Sequence, residues 1–254
     1  MISQADDAFA GLTGEPSDAT PAILATGTSD ISTIFTSMAE RHPEGADANY
    51  LRWHTLDHRP EQYRLSSIRA SLRVVSTPTC RAARAASATD FDAIDHVMTY
   101  FFADIDGLGD FGKLSEALRD AGRAPFILNP VQRGVYIVRN RHAAARSRLG
   151  ADVLPWLPVK GLYLLIEEGN AAAEQLVSIP GVAGVWTASA VSTPYSTASE
   201  QQQISYLFLD DDPVAVAERL KPALVERWAS KAGKPLLAAP FCTVEPYAWD
   251  KYLP

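Results

Sequence analysis

Two histidines four residues apart, His54 and His58, lie in the segment Tyr50-Leu51-Arg52-Trp53-His54-Thr55-Leu56-Asp57-His58-Arg59-Pro60-Glu61. On a helix that spacing puts both imidazoles on one face. The residue before a proline avoids α geometry, so Pro60 is expected to end the helix and leave His58 at the mouth of a pocket. Histidine titrates nearest neutrality and suits proton transfer to or from a carbon acid or a phenol. Asp57 or Glu61 is expected to orient the ring. The plainer role for His58 is to cap its helix by bonding a backbone carbonyl. His54-x-x-x-His58 also has the spacing of two zinc ligands, but Thr55 stands where a zincin has its glutamate, and no third ligand is placed.

A second group lies on the run His96-Val97-Met98-Thr99-Tyr100-Phe101-Phe102. Alternation in a strand gives His96, Met98, Tyr100 and Phe102 one common face. If that face looks into a pocket, Tyr100 can donate to a substrate oxygen; otherwise it is core packing. Trp186 and Tyr206 carry the same two readings. The candidate catalytic residues are therefore His58, His54, Asp57 and Tyr100. Trp53, Glu61, His96, Phe102, Trp186 and Tyr206 are the candidate substrate-binding residues. His96 or His142 would be the axial ligand if haem were bound, and nothing in the sequence favours either. Gly107-x-Gly109-x-x-Gly112 matches a dinucleotide fingerprint in letters. Asp104, Asp106 and Asp110 around it would repel a pyrophosphate, so it reads as a turn. No cofactor is expected.

These residues need elements to hold them, and the elements come in a pattern that recurs. Tyr100-Phe101-Phe102-Ala103-Asp104 has a counterpart in Tyr206-Leu207-Phe208-Leu209-Asp210. Each is a short β-prone run ending in acidic turn residues. Each is followed by apolar residues at helical spacing: Phe111, Leu114 and Leu118 in one case, Val214, Ala217, Leu220 and Leu224 in the other. Another strand-like run closes each half, Gly134 to Val138 and Leu236 to Val244. Ser67-Ile68 and Ser178-Ile179-Pro180-Gly181 occupy matching places upstream. The first strands are expected at Ala22–Thr26 and Leu162–Ile166.

The order is strand, helix, strand, strand, helix, strand, twice over. Such a sheet carries helices on one face only, yet these strands are bulky on both sides. Two sheets packed face to face within one chain solve the problem. The fold class is thus α+β, with two tandem ferredoxin-like βαββαβ repeats packed as an α+β barrel. Residues 1–20 read as a flexible leader, 21–142 as the first repeat, 143–158 as a linker and 159–254 as the second repeat with a C-terminal tail. The halves differ in one respect. The first carries a long insertion with both histidines after its first strand, where the second has only Glu167 to Ser178, expected as a short helix.

Within that insertion, Trp53-His54-Thr55-Leu56-Asp57-His58-Arg59-Pro60-Glu61 resembles the Trp-Tyr-x-x-Glu-His-x-Pro-Glu signature of the dimeric α+β barrel superfamily. Leu65-Ser66-Ser67-Ile68 is similar to its continuation, and Ser178-Ile179-Pro180-Gly181 keeps the usual Ile-Pro-Gly turn. The chain departs from the pattern at His54, where an aromatic is usual, and at Arg69-Ala70, where Pro-Gly is usual. The superfamily contains cofactor-free monooxygenases, muconolactone isomerases, polyketide cyclases and haem proteins, so the resemblance implies a fold and a range of chemistries.

Charge and composition narrow the partners. A net charge of −7 over 254 residues argues against nucleic acid. Arg81, Arg84, Arg139, Arg141, Arg146 and Arg148 read as a solvated connector surface. No apolar stretch is long enough for a membrane span. With two cysteines, Cys80 and Cys242, and no signal-peptide pattern, a cytoplasmic setting with inert thiols is expected. The expected activity is cofactor-independent proton-transfer chemistry of the lyase, isomerase or cyclase type on a small hydrophobic, aromatic or polycyclic molecule. A cofactor-free monooxygenase is the alternative enzyme, and a hydrophobic-ligand carrier or sensor the non-catalytic one. The protein is expected as a monomer or homodimer.

Overall fold

The computed structural model describes residues 30–169, 172–231 and 233–252. It is a mixed α+β structure built on a large antiparallel sheet. In chain order the elements are β1 (Thr33–Ala39), α1 (Asp47–Trp53), a π-helical turn (His54–His58), α2 (Arg59–Gln62), β2 (Ile68–Val75), α3 (Pro78–Ala82), β3 (Ala86–Ser87), β4 (His96–Phe102), α4 (Gly107–Asp120) and β5 (Pro130–Ala143). Then come β6 (Gly161–Glu168), β7 (Val182–Ala190), β8 (Gln202–Leu209), α5 (Pro213–Ala229) and β9 (Lys234–Thr243). The expected leader and the expected first strand at Ala22–Thr26 lie outside the described residues. The strand in the first position is β1, eleven residues later than Ala22. The short helix expected between Glu167 and Ser178 is instead the end of β6 and one 3₁₀ turn at Glu174–Ser178.

The strands follow the order β2-β4-β1-β5-β7-β8-β6-β9, with β3 added beside β9. Two pairs, Val74 with Thr243 and Val75 with Cys242, join β2 to β9 and close the sheet on itself. Closure removes the open edges that would otherwise template aggregation.

Alternation along each strand then sorts side chains between the inside of the ring and the outside. Ile34 and Met38 of β1, Val97 and Phe101 of β4, Trp186 of β7, and Tyr206 and Phe208 of β8 point inward into one buried cluster. Phe101 meets Trp186 edge-on at 5.8 Å, and Trp186 meets Phe208 at 6.2 Å. Geometries of this kind stabilise beyond burial itself, by about 0.5–1.5 kcal/mol a pair. The polar tips are satisfied: Trp186 Nε1 donates to the Ala151 carbonyl at 2.8 Å, and the Tyr206 hydroxyl bonds Thr36 and, at 3.2 Å, Thr99. The ring interior is a packed core.

Outside the ring, α5 covers the second half with Val216, Ala217, Leu220 and Leu224 on Tyr163, Leu165 and Leu207. The first half is covered by α4, whose Leu108 and Phe111 pack on Phe35, Met98, Tyr100 and Phe102. Gly107, Gly109 and Gly112 belong to the first turns of α4, not to a preceding turn. A Cβ on Gly107 would lie 2.5 Å from the Ser67 side chain, and one on Gly112 would lie 2.9 Å from the Tyr195 ring. The glycines there allow close approach. The arginines expected on a solvated connector are largely ion-paired: Arg81 with Asp95 at 2.6 Å, Arg84 with Asp92 at 3.5 Å, Arg141 with Asp152 at 3.2 Å and Arg146 with Asp210.

Candidate active site

A cavity of about 420 Å³ opens between the outer face of the first half's strands and the helices that cover it. Its floor is Phe35, Ser37, Met98 and Tyr100, its far wall Leu108, Phe111 and Ser115 of α4, and its other wall Tyr50, Trp53, His54, His58 and Gln62. Pro194, Tyr195 and Thr197, from the β7–β8 loop, contribute to the rim. The size and the mix of aromatic walls with a few polar groups suit a small organic molecule.

The helical segment delivers the histidines without the break expected at Pro60. The Arg59 amide donates to the His54 carbonyl, five residues back, so the chain widens to a π turn. Pro60 falls in the first turn of α2, where its missing N–H is tolerated, and the helix runs on to Gln62. π turns of this kind concentrate at functional sites. Asp57 and Glu61 project to the other side of the segment and, together with Nε1 of Trp53, hold Arg123, in the loop after α4. Trp53 Nε1 donates to the Arg123 carbonyl at 3.1 Å, and the guanidinium pairs with Asp57 at 2.9 Å and Glu61 at 2.8 Å. Asp57 and Glu61 are thereby committed to anchoring the helix. Neither bonds His58, and neither lines the cavity.

The partner of His58 is Gln62, one further turn along the same face, with 2.8 Å between Gln62 Nε2 and His58 Nε2. The amide's two orientations select opposite tautomers. With Gln62 Nε2 donating to the Nε2 lone pair, as the structure places it, the ring proton sits on Nδ1, which has no protein partner; the flipped amide would leave the lone pair on Nδ1 instead. His58 packs on Trp53, ring centroids 4.9 Å apart and planes tilted 31°. Burial, helped by the charge of Arg73, pushes its pKa down to about 4. His54 lies deeper, 5.3 Å from His58 and 5% exposed. Burial, then Arg73 and His58, hold its pKa well below the usual value. The Tyr100 hydroxyl, whose pKa burial raises, faces His54 Nε2 at 3.4 Å. Both imidazoles are therefore held in the neutral form at neutral pH.

His96, Phe102, Trp186 and Tyr206 are not in the cavity wall. The face shared by His96, Met98, Tyr100 and Phe102 looks outward toward the helices, not into the ring. His96 is buried at its end, bonded through Nε2 to Asp47 Oδ1 at 2.8 Å, and Phe102 packs edge-on against Phe111 at 5.5 Å. Trp186 and Tyr206 belong to the packed interior of the ring, on the opposite side of the sheet. The haem alternatives His96 and His142 also lie away from the cavity, and among the described residues no three acidic, histidine or cysteine side chains group as a metal site. Gln62 and Arg73 were not anticipated. Gln62 had a signal, since 54, 58 and 62 continue one helical face; Arg73 had none.

No family model matches the sequence, and a search of curated protein sequences finds no match. Solved structures do match in fold. A chlorite dismutase-like protein aligns over 85% of this chain and 96% of its own, with 12% identity and a TM-score of 0.52. A monooxygenase-like protein from Fusobacterium nucleatum subsp. nucleatum ATCC 25586 aligns over 85% and 94%, with 8% identity and a TM-score of 0.48. An anthrone oxidase-like protein aligns over 85% and 92%, with 10% identity and a TM-score of 0.47. At 12% identity and a TM-score of 0.52, the first of these shows a likeness of fold alone.

Proposed function

We propose that this protein is an enzyme acting on a small hydrophobic, aromatic molecule held between the first half's sheet and its helices, and that its chemistry is proton transfer without a cofactor. The observation that carries the reading is the pair of neutral imidazoles on one cavity wall, His54 buried and His58 half-buried. His58 is the general base or acid, positioned by Gln62. His54 and Tyr100 form a second donor–acceptor pair beside it, and Trp53 supplies an aromatic wall. A base buried in its neutral form takes a proton from a carbon acid or phenol when the developing anion is stabilised nearby. Many lyase, isomerase and cyclase reactions begin with such a step.

A cofactor-free monooxygenase rests on the same geometry, with a phenolate made at His58 and oxygen admitted beside Trp53. The two separate in one experiment. Purified protein is incubated with a panel of phenols, hydroxynaphthalenes and polycyclic ketones in an oxygen electrode, with product analysis under air and under argon. Turnover that persists under argon supports proton transfer; turnover that requires and consumes oxygen supports the monooxygenase. Saturable binding with no turnover in either gas, unaffected by His58→Gln, points to a carrier.

We also infer that the two halves are tandem copies of one unit, residues 21–142 and 159–254, joined by 143–158. Within each half the strands run second, third, first, fourth across the sheet, which supports the reading. Since the last strand of each half pairs with the second strand of the other, a monomer needs no second chain, and homodimers would use other surfaces. Among the described residues no helix is long and apolar enough to cross a membrane, and a cytoplasmic location remains part of this proposal.

A further inference from the structure

We propose that the inner end of the cavity is an anion subsite, in which the Tyr50 hydroxyl, backed by the guanidinium of Arg73, receives the negatively charged oxygen of an aromatic carboxylate or phenolate. The inference rests on the reading of the cavity as a ligand site and adds the charge of the ligand.

Arg73 is 3% exposed. It stands on β2 directly opposite Met98 of β4, which lines the cavity, so its side chain leaves the sheet on the cavity side. Among the described residues its one side-chain hydrogen bond runs from Nη2 to the Tyr50 hydroxyl at 2.9 Å, and its guanidinium carbon lies 5.0 Å from the Tyr50 ring centre. Nε is buried without a partner. No described carboxylate comes within ion-pair distance. The nearby acids are engaged elsewhere: Asp47 with His96 and Arg41, and Asp57 and Glu61 with Arg123. Glu116 stands on the exposed rim of the cavity.

A buried cation without a counter-charge is destabilising by itself, because desolvation is not offset by attraction. Its place is explained when the counter-charge arrives with the ligand. Tyr50 is the link, since it lines the cavity and Arg73 does not. Its oxygen accepts from Arg73, so its own proton is left to donate, and a donor polarised by a neighbouring cation bonds an anionic oxygen strongly. The neutral His54 and His58 add no competing positive charge. Arg73 is also the leading charge that depresses both histidines, so its field reaches the cavity.

The test is a binding measurement and needs no turnover. 2-Naphthoate and its neutral isostere 2-naphthamide are titrated against wild type, Tyr50→Phe and Arg73→Met by isothermal calorimetry. A carboxylate ligand predicts that wild type prefers naphthoate by about tenfold or more, as charge-assisted hydrogen bonds do, and that both variants lose the preference while still binding the amide. A phenolate ligand predicts instead that bound 4-nitrophenol turns yellow at a pH where the free phenol is neutral, and that Arg73→Met abolishes the colour. Equal affinity for acid and amide together with uncoloured 4-nitrophenol overturns the proposal, as does absence of saturable binding by all three probes. Thermal unfolding guards against misfolding. Arg73→Met should melt at or above the wild-type temperature if the charge serves a ligand, and a large drop would make Arg73 a structural residue and overturn the proposal. If the anion preference is seen and His58→Gln retains full turnover, the proton-transfer reading fails alone; if the preference is absent and His58→Gln is inactive, the anion subsite fails alone.

Discussion

Acidification tests the burial of His58 without knowledge of its substrate. Burial first, and then the charge of Arg73, keep the folded imidazole near pKa 4, with Asp57 acting in the opposite direction. In the unfolded chain the ring titrates near 6.5. Above pH 6.5 it is neutral in both states, and the full stability is present. As pH falls from about 6.5 toward 4 the unfolded chain binds a proton that the folded chain refuses, so stability declines, and below about 4 the loss is complete. At about 1.36 kcal/mol per pKa unit the gap corresponds to roughly 3 kcal/mol. His58 is only half-buried, and solvent screening reduces the expected effect to about 1–2 kcal/mol. The assay is urea unfolding of wild type and His58→Gln at several pH values from about 7.5 to 4. His96, whose pKa is also lowered by burial, is present in both proteins and cancels in the difference, whereas His54 is coupled to His58, so the difference reports the pair. Wild type should lose about 1–2 kcal/mol more than the variant across that range. Parallel pH dependence in the two proteins would refute the claim that the fold holds this imidazole neutral, and with it the assignment of His58 as a free base.

His58→Gln should lower turnover by about a hundred- to ten-thousand-fold with the fold intact, and wild-type kcat/KM should fall only as pH drops toward about 4. Tyr206→Phe should cost about 1 kcal/mol in chemical unfolding, because Thr36 and Thr99 lose a shared partner, and should leave ligand affinity unchanged. Glu167→Ala removes the carboxylate that Arg227 grips at 2.7 Å and that accepts from Trp228 at 2.8 Å, with both charged side chains almost fully buried. The stranded guanidinium should cost about 3–5 kcal/mol in the same unfolding assay, and a loss below about 1 kcal/mol would show that the pair is solvated.

Alternation and helical spacing are local properties, and most elements of this chain are legible from them alone. The strands around Tyr100 and Tyr206, the helix with Phe111 and Leu118 and the helix with Leu220 and Leu224 lie where the apolar periodicity puts them. The segment from Tyr50 to Glu61 is recognisable as the source of polar cavity groups because its residue types have few other uses together. What alternation leaves open is which face of a strand meets which layer. Tyr100 and Phe101 are equally bulky in sequence, and only closure of the sheet sends Phe101 into the packed ring and Tyr100 to the cavity. The same ambiguity leaves open, until the sheet closes, that His96, Phe102, Trp186 and Tyr206 stand away from the cavity wall. Partnerships across the chain are likewise tertiary. Asp57 and Glu61 sit beside His58 in sequence, but their partner is Arg123, more than sixty residues on, and it is Gln62 that faces the ring. Arg73 is invisible in the sequence because an arginine in an alternating strand reads as solvent-facing; helices packed over the sheet bury it against Tyr50. Periodicity therefore determined the elements of this protein, while sheet closure and helix packing, which depend on contacts between distant residues, decided which side chains share the cavity.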